Sequence, residues 1–338
     1  MMPNSEPQPA FVQVLSIALL ASGVHGNEPF LEHRLVQLLN PCENACTNLT
    51  RFGRDLDGGY LMCADVLTAP HGLKGALSLG IKGRDSWGIA ISQSLGVPIY
   101  EFDCFTTKAP EALEGSDLHF KPTCVGPRNE VRRGRQYASL ATLIAQHASS
   151  HPKAVDGANS TSSHQHGHHS PEVDDEFEQS SLLLKMDVEG EEWAIFAAVS
   201  HGALSRLRQI TFEIHGLTND GEACRRRPPS GRRECWRLGG VHNISETVAF
   251  LEKLDRQFVL VSNHGNNWWG AHKIDGRIVP DLTELTFIHR KALPSDFRCA
   301  PLDPTKINQH HKPNVLGAPE IQTLAEWTGA RQGFGRRS

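Results

Sequence analysis

The residues best placed to do chemistry in this chain are acids that follow apolar runs. Leu184-Lys185-Met186-Asp187-Val188-Glu189-Gly190-Glu191-Glu192-Trp193 carries an apolar run into acids, a glycine turn and more acids. If the run is a strand, Asp187 and Glu189 stand where its carboxyl end meets a crevice. A carboxylate there can orient a cationic cofactor, take a proton or, with His215, hold a metal ion. Glu191 and Glu192 instead suit the first turn of a helix, whose macrodipole favours negative charge. In 209–215 (QITFEIH), Glu213 and His215 alternate, so a strand's period of two puts both on one face. His215, titrating near neutral pH, is then a candidate general base, with a satisfied structural histidine as the alternative. His264-Gly265-Asn266-Asn267-Trp268-Trp269-Gly270 joins amides to aromatics. It suits a hairpin loop with an aromatic anchor or a lid that brings Asn266 and Asn267 to a substrate.

A second group of residues suits an adenosine. In Ser78-Leu79-Gly80-Ile81-Lys82-Gly83-Arg84-Asp85, Gly80 and Gly83 let backbone approach a ligand and Asp85 is placed to cap a following helix. The spacing, with the next glycine at Gly88, is not GxGxxG, so a dinucleotide pyrophosphate is not called for. Ile99-Tyr100-Glu101-Phe102-Asp103 ends in an acid about 20 residues past the loop, where a carboxylate can accept ribose hydroxyls. Both NAD-binding and S-adenosylmethionine-binding sheets share that pair.

Seven apolar runs read as strands that would hold these groups: 76–81, 97–103, 118–125, 182–188, 209–215, 258–262 and 282–290. Helical patterns at 85–95, 137–147, 194–199 and 245–254 fall between them. The alternation predicts an α/β domain, a Rossmann-like seven-stranded and mainly parallel sheet with helices on both faces. Its ligand site lies at the strands' carboxyl ends.

The chain has 338 residues, 39% of them hydrophobic, enough for a sizeable core. Its 34 Lys and Arg against 38 Asp and Glu leave a formal charge of −4, which argues against an electrostatic grip on nucleic acid. We divide it into a catalytic domain over 27–290, an irregular tail over 291–338 and two interruptions. These are a His-rich, polar insertion at about 149–179, read as disordered, and an Arg-rich loop at about 221–240. Residues 1–26 hold an apolar run too short for a span of about 20 residues but suited to a signal peptide or short anchor. The preceding MMPNSEPQPA lacks the positive charge of a signal, so the secretory pathway, a membrane association and the cytoplasm all stay open. Sequons at Asn48, Asn159 and Asn243 permit glycosylation. The 8 cysteines contain no CxxC pair, and spacing does not reveal their pairing.

KMDVEGEEW at 185–193 is similar to the K-[ILM]-D-[IV]-E-G-x-E-x motif of FkbM-type S-adenosylmethionine-dependent methyltransferases. The closer likeness is to the methyltransferase-like group with an RFG…DGGY segment ahead of the sheet, here 51–60. SLGIKGRDSW, YEFD, FEIHG and PDLTELTF follow in the family's order, so the resemblance spans about 51–290. It implies a class I methyltransferase fold, with Gly80 and Gly83 at the cofactor's amino-acid part, Asp103 on the ribose and Asp187 near the transferred methyl; Asp85 is counted with them as cofactor-binding. Lys82 stands where the family has a second loop glycine, and Trp87 where it has Phe. The implied activity is methylation of a hydroxyl or carboxyl oxygen on a small-molecule or glycan-like acceptor, with Asp187 or His215 removing the proton. Glu189, Asn266 and Asn267 would face the substrate or a lid. A divalent metal at Asp187, Glu189 and His215 is a variant of this reading. A nicotinamide-dependent oxidoreductase and a catalytically silent secretory binding protein are the alternatives.

Overall fold

A computed structural model describes residues 28–67, 72–148, 180–217, 244–267, 270–306, 314 and 320–327. The N-terminal segment, the His-rich insertion, the Arg-rich loop, Trp268, Trp269, Cys224, Cys235 and the sequons at Asn159 and Asn243 lie outside the described residues. The chain opens with α1 (Glu28–Leu38), β1 (Leu49–Phe52), β2 (Tyr60–Cys63), β3 (Gly75–Leu79), α2 (Ser86–Leu95) and β4 (Ile99–Phe102). Next come β5 (Leu118–Lys121), β6 (Cys124–Gly126), β7 (Glu130–Arg132), β8 (Arg135–Ser139), α3 (Leu140–Ala148) and β9 (Leu182–Met186). Then follow α4 (Glu192–Ala198), α5 (His201–Leu204), β10 (Leu207–His215) and α6 (Ile244–Asp255). The last are β11 (Phe258–Gly265), β12 (Ala271–Ile274), β13 (Arg277–Pro280) and β14 (Leu282–His289).

The seven expected strands form one sheet in the order β11-β14-β10-β9-β3-β4-β5. Six run the same way, and β14 lies antiparallel between β11 and β10. The protein is thus α/β with a mixed, mostly parallel sheet. Every residue of β3, β9, β10, β11 and β14 is buried, as strands covered on both faces require. Alternation sorts their side chains. Leu77, Leu79, Leu182, Leu184, Met186 and Phe212 pack with α1, α3, α4 and α6. Ala76, Ile99 and Leu183 meet Trp87 and Ile91 of α2 and Phe52, Tyr60 and Met62 of the β1–β2 hairpin. Helices therefore cover one face, while α2 and a hairpin share the other. Gln209 fixes the hairpin by accepting from Cys63 N at 2.7 Å, and Thr286 Oγ1 donates to Leu61 O at 2.6 Å.

Local chemistry explains the departures from the expected elements. The helix expected from 137 starts at Leu140, because Tyr137 pairs with β6 and β7 and carries Arg132 on its ring at 4.2 Å, while Ser139 Oγ caps by accepting from Thr142 N. The strand expected over 118–125 divides at Pro122, which cannot donate to a ladder. The strand expected to end at 262 runs to Gly265, so His264 belongs to the sheet and not to a hairpin loop.

Disulfides join Cys42 to Cys299, Cys46 to Cys63 and Cys104 to Cys124. The tail wraps back: Ile278 N donates to Ala325 O and Leu324 N to Ile278 O. No helix among the described residues is long and apolar enough to cross a membrane.

Candidate active site

Strand order reverses between β3 and β9, since the chain leaves β3 toward β4 on one side and β9 toward β10 on the other. The crevice at such a switch point is where open α/β sheets bind ligands. The two strand ends nearly touch there. Asp187 N donates to Leu79 O at 2.9 Å, and a Cβ on Gly80 would run into the Asp187 carbonyl oxygen. Only glycine fits, and its φ of +73° agrees. Lys82, at φ +42°, adopts a left-handed conformation that costs a side-chain-bearing residue more than a glycine. Gly83, at φ +94°, faces open space, with no heavy atom within 4 Å of a Cβ built there.

Two acids fasten this loop. Asp85 caps α2, its Oδ1 accepting from Gly88 N at 2.8 Å. Asp103, buried at the end of β4, accepts from Ile81 N and Lys82 N through Oδ2 and from Phe105 N through Oδ1, at 2.7–3.1 Å. Its carboxylate therefore holds the loop to β4, and a role toward ribose hydroxyls requires it to use its remaining lone pairs.

The other half of the crevice is an acid-rich pocket at the ends of β9 and β10. Asp187, Glu189, Glu213 and His215 meet there. His215 Nε2 lies 3.5 Å from Glu213 Oε1, 3.8 Å from Glu189 Oε2 and 3.9 Å from Asp187 Oδ1. Its Nδ1 is 3.3 Å from Glu192 Oε1. Glu192 is fully buried and accepts from Val188 N and Gly190 N, which suits the structural role expected of a helix-start acid and holds its carboxylate beside His215. Glu191 pairs with Arg132 at 3.0 Å, away from the imidazole. Glu189 sits at φ +56° in the turn between. Asn266 Nδ2 donates to Glu213 Oε2 at 3.0 Å; Asn267 is buried beside it in sequence.

Electrostatics follow from burial. Desolvation raises Glu213 well above the carboxylate range, and the charges of Asp187 and Glu284 add to it. Desolvation likewise raises Asp187, against the pull of Lys185 and His215. For His215 burial alone would lower the pKa, but Glu192, Glu213 and Asp187 outweigh it and push it up to about 10. A raised pKa favours the protonated imidazole, which weighs against a base titrating near 7.

Sequence reasoning gave no role to three members of the pocket. Lys185 Nζ donates to Gly80 O at 2.7 Å and lies 3.9 Å from Asp187 Oδ2 and 5.6 Å from the Tyr60 ring centre, tying the loop to the pocket. Tyr60 is buried, its hydroxyl has no partner among the described residues, and its pKa is raised by desolvation and then by the charges of Asp187, Glu213 and Glu284. Glu284 stands opposite Glu213 across β10 and β14. It accepts from Asn314 Nδ2 at 2.6 Å and faces His264 Nδ1 at 3.2 Å. The available signal was positional: Tyr60 and Glu284 lie inside motifs, and the acid within β14 reaches this edge only because the strand runs backwards.

Comparison with family models, curated proteins and solved structures finds no match for this chain.

Proposed function

We propose that the protein is an S-adenosylmethionine-dependent methyltransferase that methylates a hydroxyl or carboxyl oxygen of a small-molecule or glycan-like acceptor. The observation that carries this reading is the contact between Gly80 and Asp187, which puts a glycine loop with an open face at Gly83 directly beside an acid pocket. The loop and the KMDVEGEEW turn, two motifs far apart in sequence, thus meet at one switch point, in a seven-stranded sheet of the kind the resemblance implies.

Gly80, Gly83 and the crevice end of Asp103 would hold the cofactor. When bound, S-adenosylmethionine supplies an electrophilic methyl whose C–S bond electrons leave with sulfur as the acceptor oxygen forms the new C–O bond. The chain's own residues then have two tasks. Holding acceptor and methyl in line contributes most of the rate, since positioning removes the entropy cost of bringing them together. The acceptor's proton passes to Asp187, which follows β9 directly and is more accessible than Glu213, at 25% side-chain exposure against 7%. His215, whose pKa its acidic neighbours raise, offsets the charge on Asp187 instead of taking the proton.

A silent binding protein is favoured by one observation, the commitment of the Asp103 carboxylate to three backbone N–H groups. Calorimetric titration with S-adenosylmethionine, and with NADH as control, separates the readings. Saturable binding of S-adenosylmethionine alone is expected. Folded protein that binds neither would sink the enzyme assignment, and NADH binding would transfer it to an oxidoreductase.

A further inference from the structure

We infer that Asp187, Glu213 and His215 form a binding site for one divalent cation of the Zn²⁺ or Mn²⁺ type. Their donor atoms all lie within 4.8 Å of one another. The separations from His215 Nε2, 3.5 Å to Glu213 Oε1 and 3.9 Å to Asp187 Oδ1, exceed hydrogen-bond distances of about 2.7–3.2 Å. They approach the roughly 3.4 Å edge of a tetrahedron with metal–ligand bonds of about 2.0–2.1 Å. These donor atoms are gathered closely while standing beyond hydrogen-bond distance of the imidazole nitrogen.

What surrounds them has the form of a metal site's outer layer. A ligating histidine commonly turns its second ring nitrogen to a carboxylate, which fixes its orientation. Here Nδ1 faces Glu192, itself anchored by Val188 N and Gly190 N. Glu213 is held by Asn266 through Oε2, leaving Oε1 toward the imidazole. His215 and Glu213 are about nineteen-twentieths buried on rigid β10, so the donors are preorganised. Independently, the Tyr60 hydroxyl, 99% buried and within the field of Asp187 and Glu213, has no hydrogen-bond partner among the described residues. A cation would offset the negative charge that these acids concentrate and that the Tyr60 phenol feels. Two carboxylates and one imidazole suit Zn²⁺ or Mn²⁺ better than Ca²⁺, which prefers oxygen alone. The dication and the proton on His215 are alternative occupants that neutralise the same acids. The other compatible group, Cys46, Cys63 and Asp65, is excluded because its sulfurs form a disulfide.

The inference stands apart from the methyltransferase reading, because the test reads the ion itself. Full-length protein is stripped with EDTA and titrated calorimetrically with Zn²⁺ and Mn²⁺, and the first coordination shell is read by X-ray absorption. The background is a variant with His164, His166, His168 and His169 all changed to Ala, which silences the His-rich segment. One ion per chain is expected, with an imidazole and oxygens in its shell. Glu213→Gln, which keeps the volume, and His215→Ala should each weaken it more than about 100-fold, and Glu192→Gln about tenfold. Loss of all binding in the His-tract variant, or unchanged affinity in folded Glu213→Gln, would overturn the site. Should His215→Ala not fold, Glu213→Gln and the absorption spectrum still decide. Binding of S-adenosylmethionine by the stripped protein reports separately on the proposed function.

Discussion

At the end of β4, Asp103 has both oxygens occupied by backbone N–H groups, Asp85 caps α2 and Lys185 is tied to the Gly80 carbonyl. At the end of β10, His215 Nε2 faces three carboxylates beyond hydrogen-bond reach, and the Tyr60 hydroxyl has no partner among the described residues. The backbone of the glycine loop is fastened by side chains of its own chain, so its path does not wait for a ligand. The acid half concentrates negative charge in a low-dielectric space, so its polar groups gain most when something enters. One half supplies shape, the other reactivity.

Substitutions can break this contrast. Asp187→Asn removes the proton acceptor without changing volume, and should lower turnover about 10²–10³-fold while the dissociation constant for S-adenosylmethionine stays within about threefold. Steady-state kinetics beside calorimetry checks both. If cofactor affinity fell as far as turnover, the two halves would not be separable. Asp103→Asn acts on the other half, weakening charge-assisted hydrogen bonds at a cost of about 2–3 kcal/mol, measured as a lower urea midpoint with unchanged slope.

Glu101 tests whether the loop half is fully satisfied. It is buried on β4 with neither oxygen bonded among the described residues, and desolvation, then the Asp85 charge, pushes its pKa from near 4.5 up to about 8. A raised carboxyl pKa means the fold favours the neutral acid. Its contribution is complete below about 4.5 and is lost as pH rises toward 8. Glu101→Gln should therefore leave stability at pH 4.5 nearly unchanged and raise it by about 1–3 kcal/mol at pH 8. A pH series of denaturation midpoints with parallel curves would refute this. The smallest effect is expected from Lys82→Gly, which relieves the left-handed backbone strain but adds unfolded-state entropy, for a net gain of about 0.5–1 kcal/mol in thermal unfolding.

The sheet was legible because its seven strands are apolar runs long enough to be buried, and burial imposes that pattern. The small pairs β1–β2, β12–β13 and the β6–β8 sheet were not, since strands of 3–5 residues such as Glu130–Arg132 carry too few side chains for a period to show. Asp187, Glu213 and His215 could be found because they sit on apolar strands where a polar residue stands out. Tyr60 could not, because an aromatic in a short strand reads as core. Lys185 looked like an ordinary interruption until Gly80 supplied its partner. The disulfides depend on tertiary neighbours: Cys42 and Cys299 belong to segments that meet only after the sheet's edge is built.

That last bond imposes an order on synthesis. Cys42 leaves the ribosome 257 residues ahead of Cys299, a delay of roughly 13–50 s at about 5–20 residues per second. Cys46 and Cys63, separated by 17, and Cys104 and Cys124, separated by 20, can close while the chain is still growing. Throughout that interval Cys42 is a thiol four positions from Cys46, so early pairing of Cys46 with Cys63 also removes its nearest wrong partner. The nascent chain thus needs an oxidising surrounding that acts on close neighbours first and completes the bond between its distant ends last.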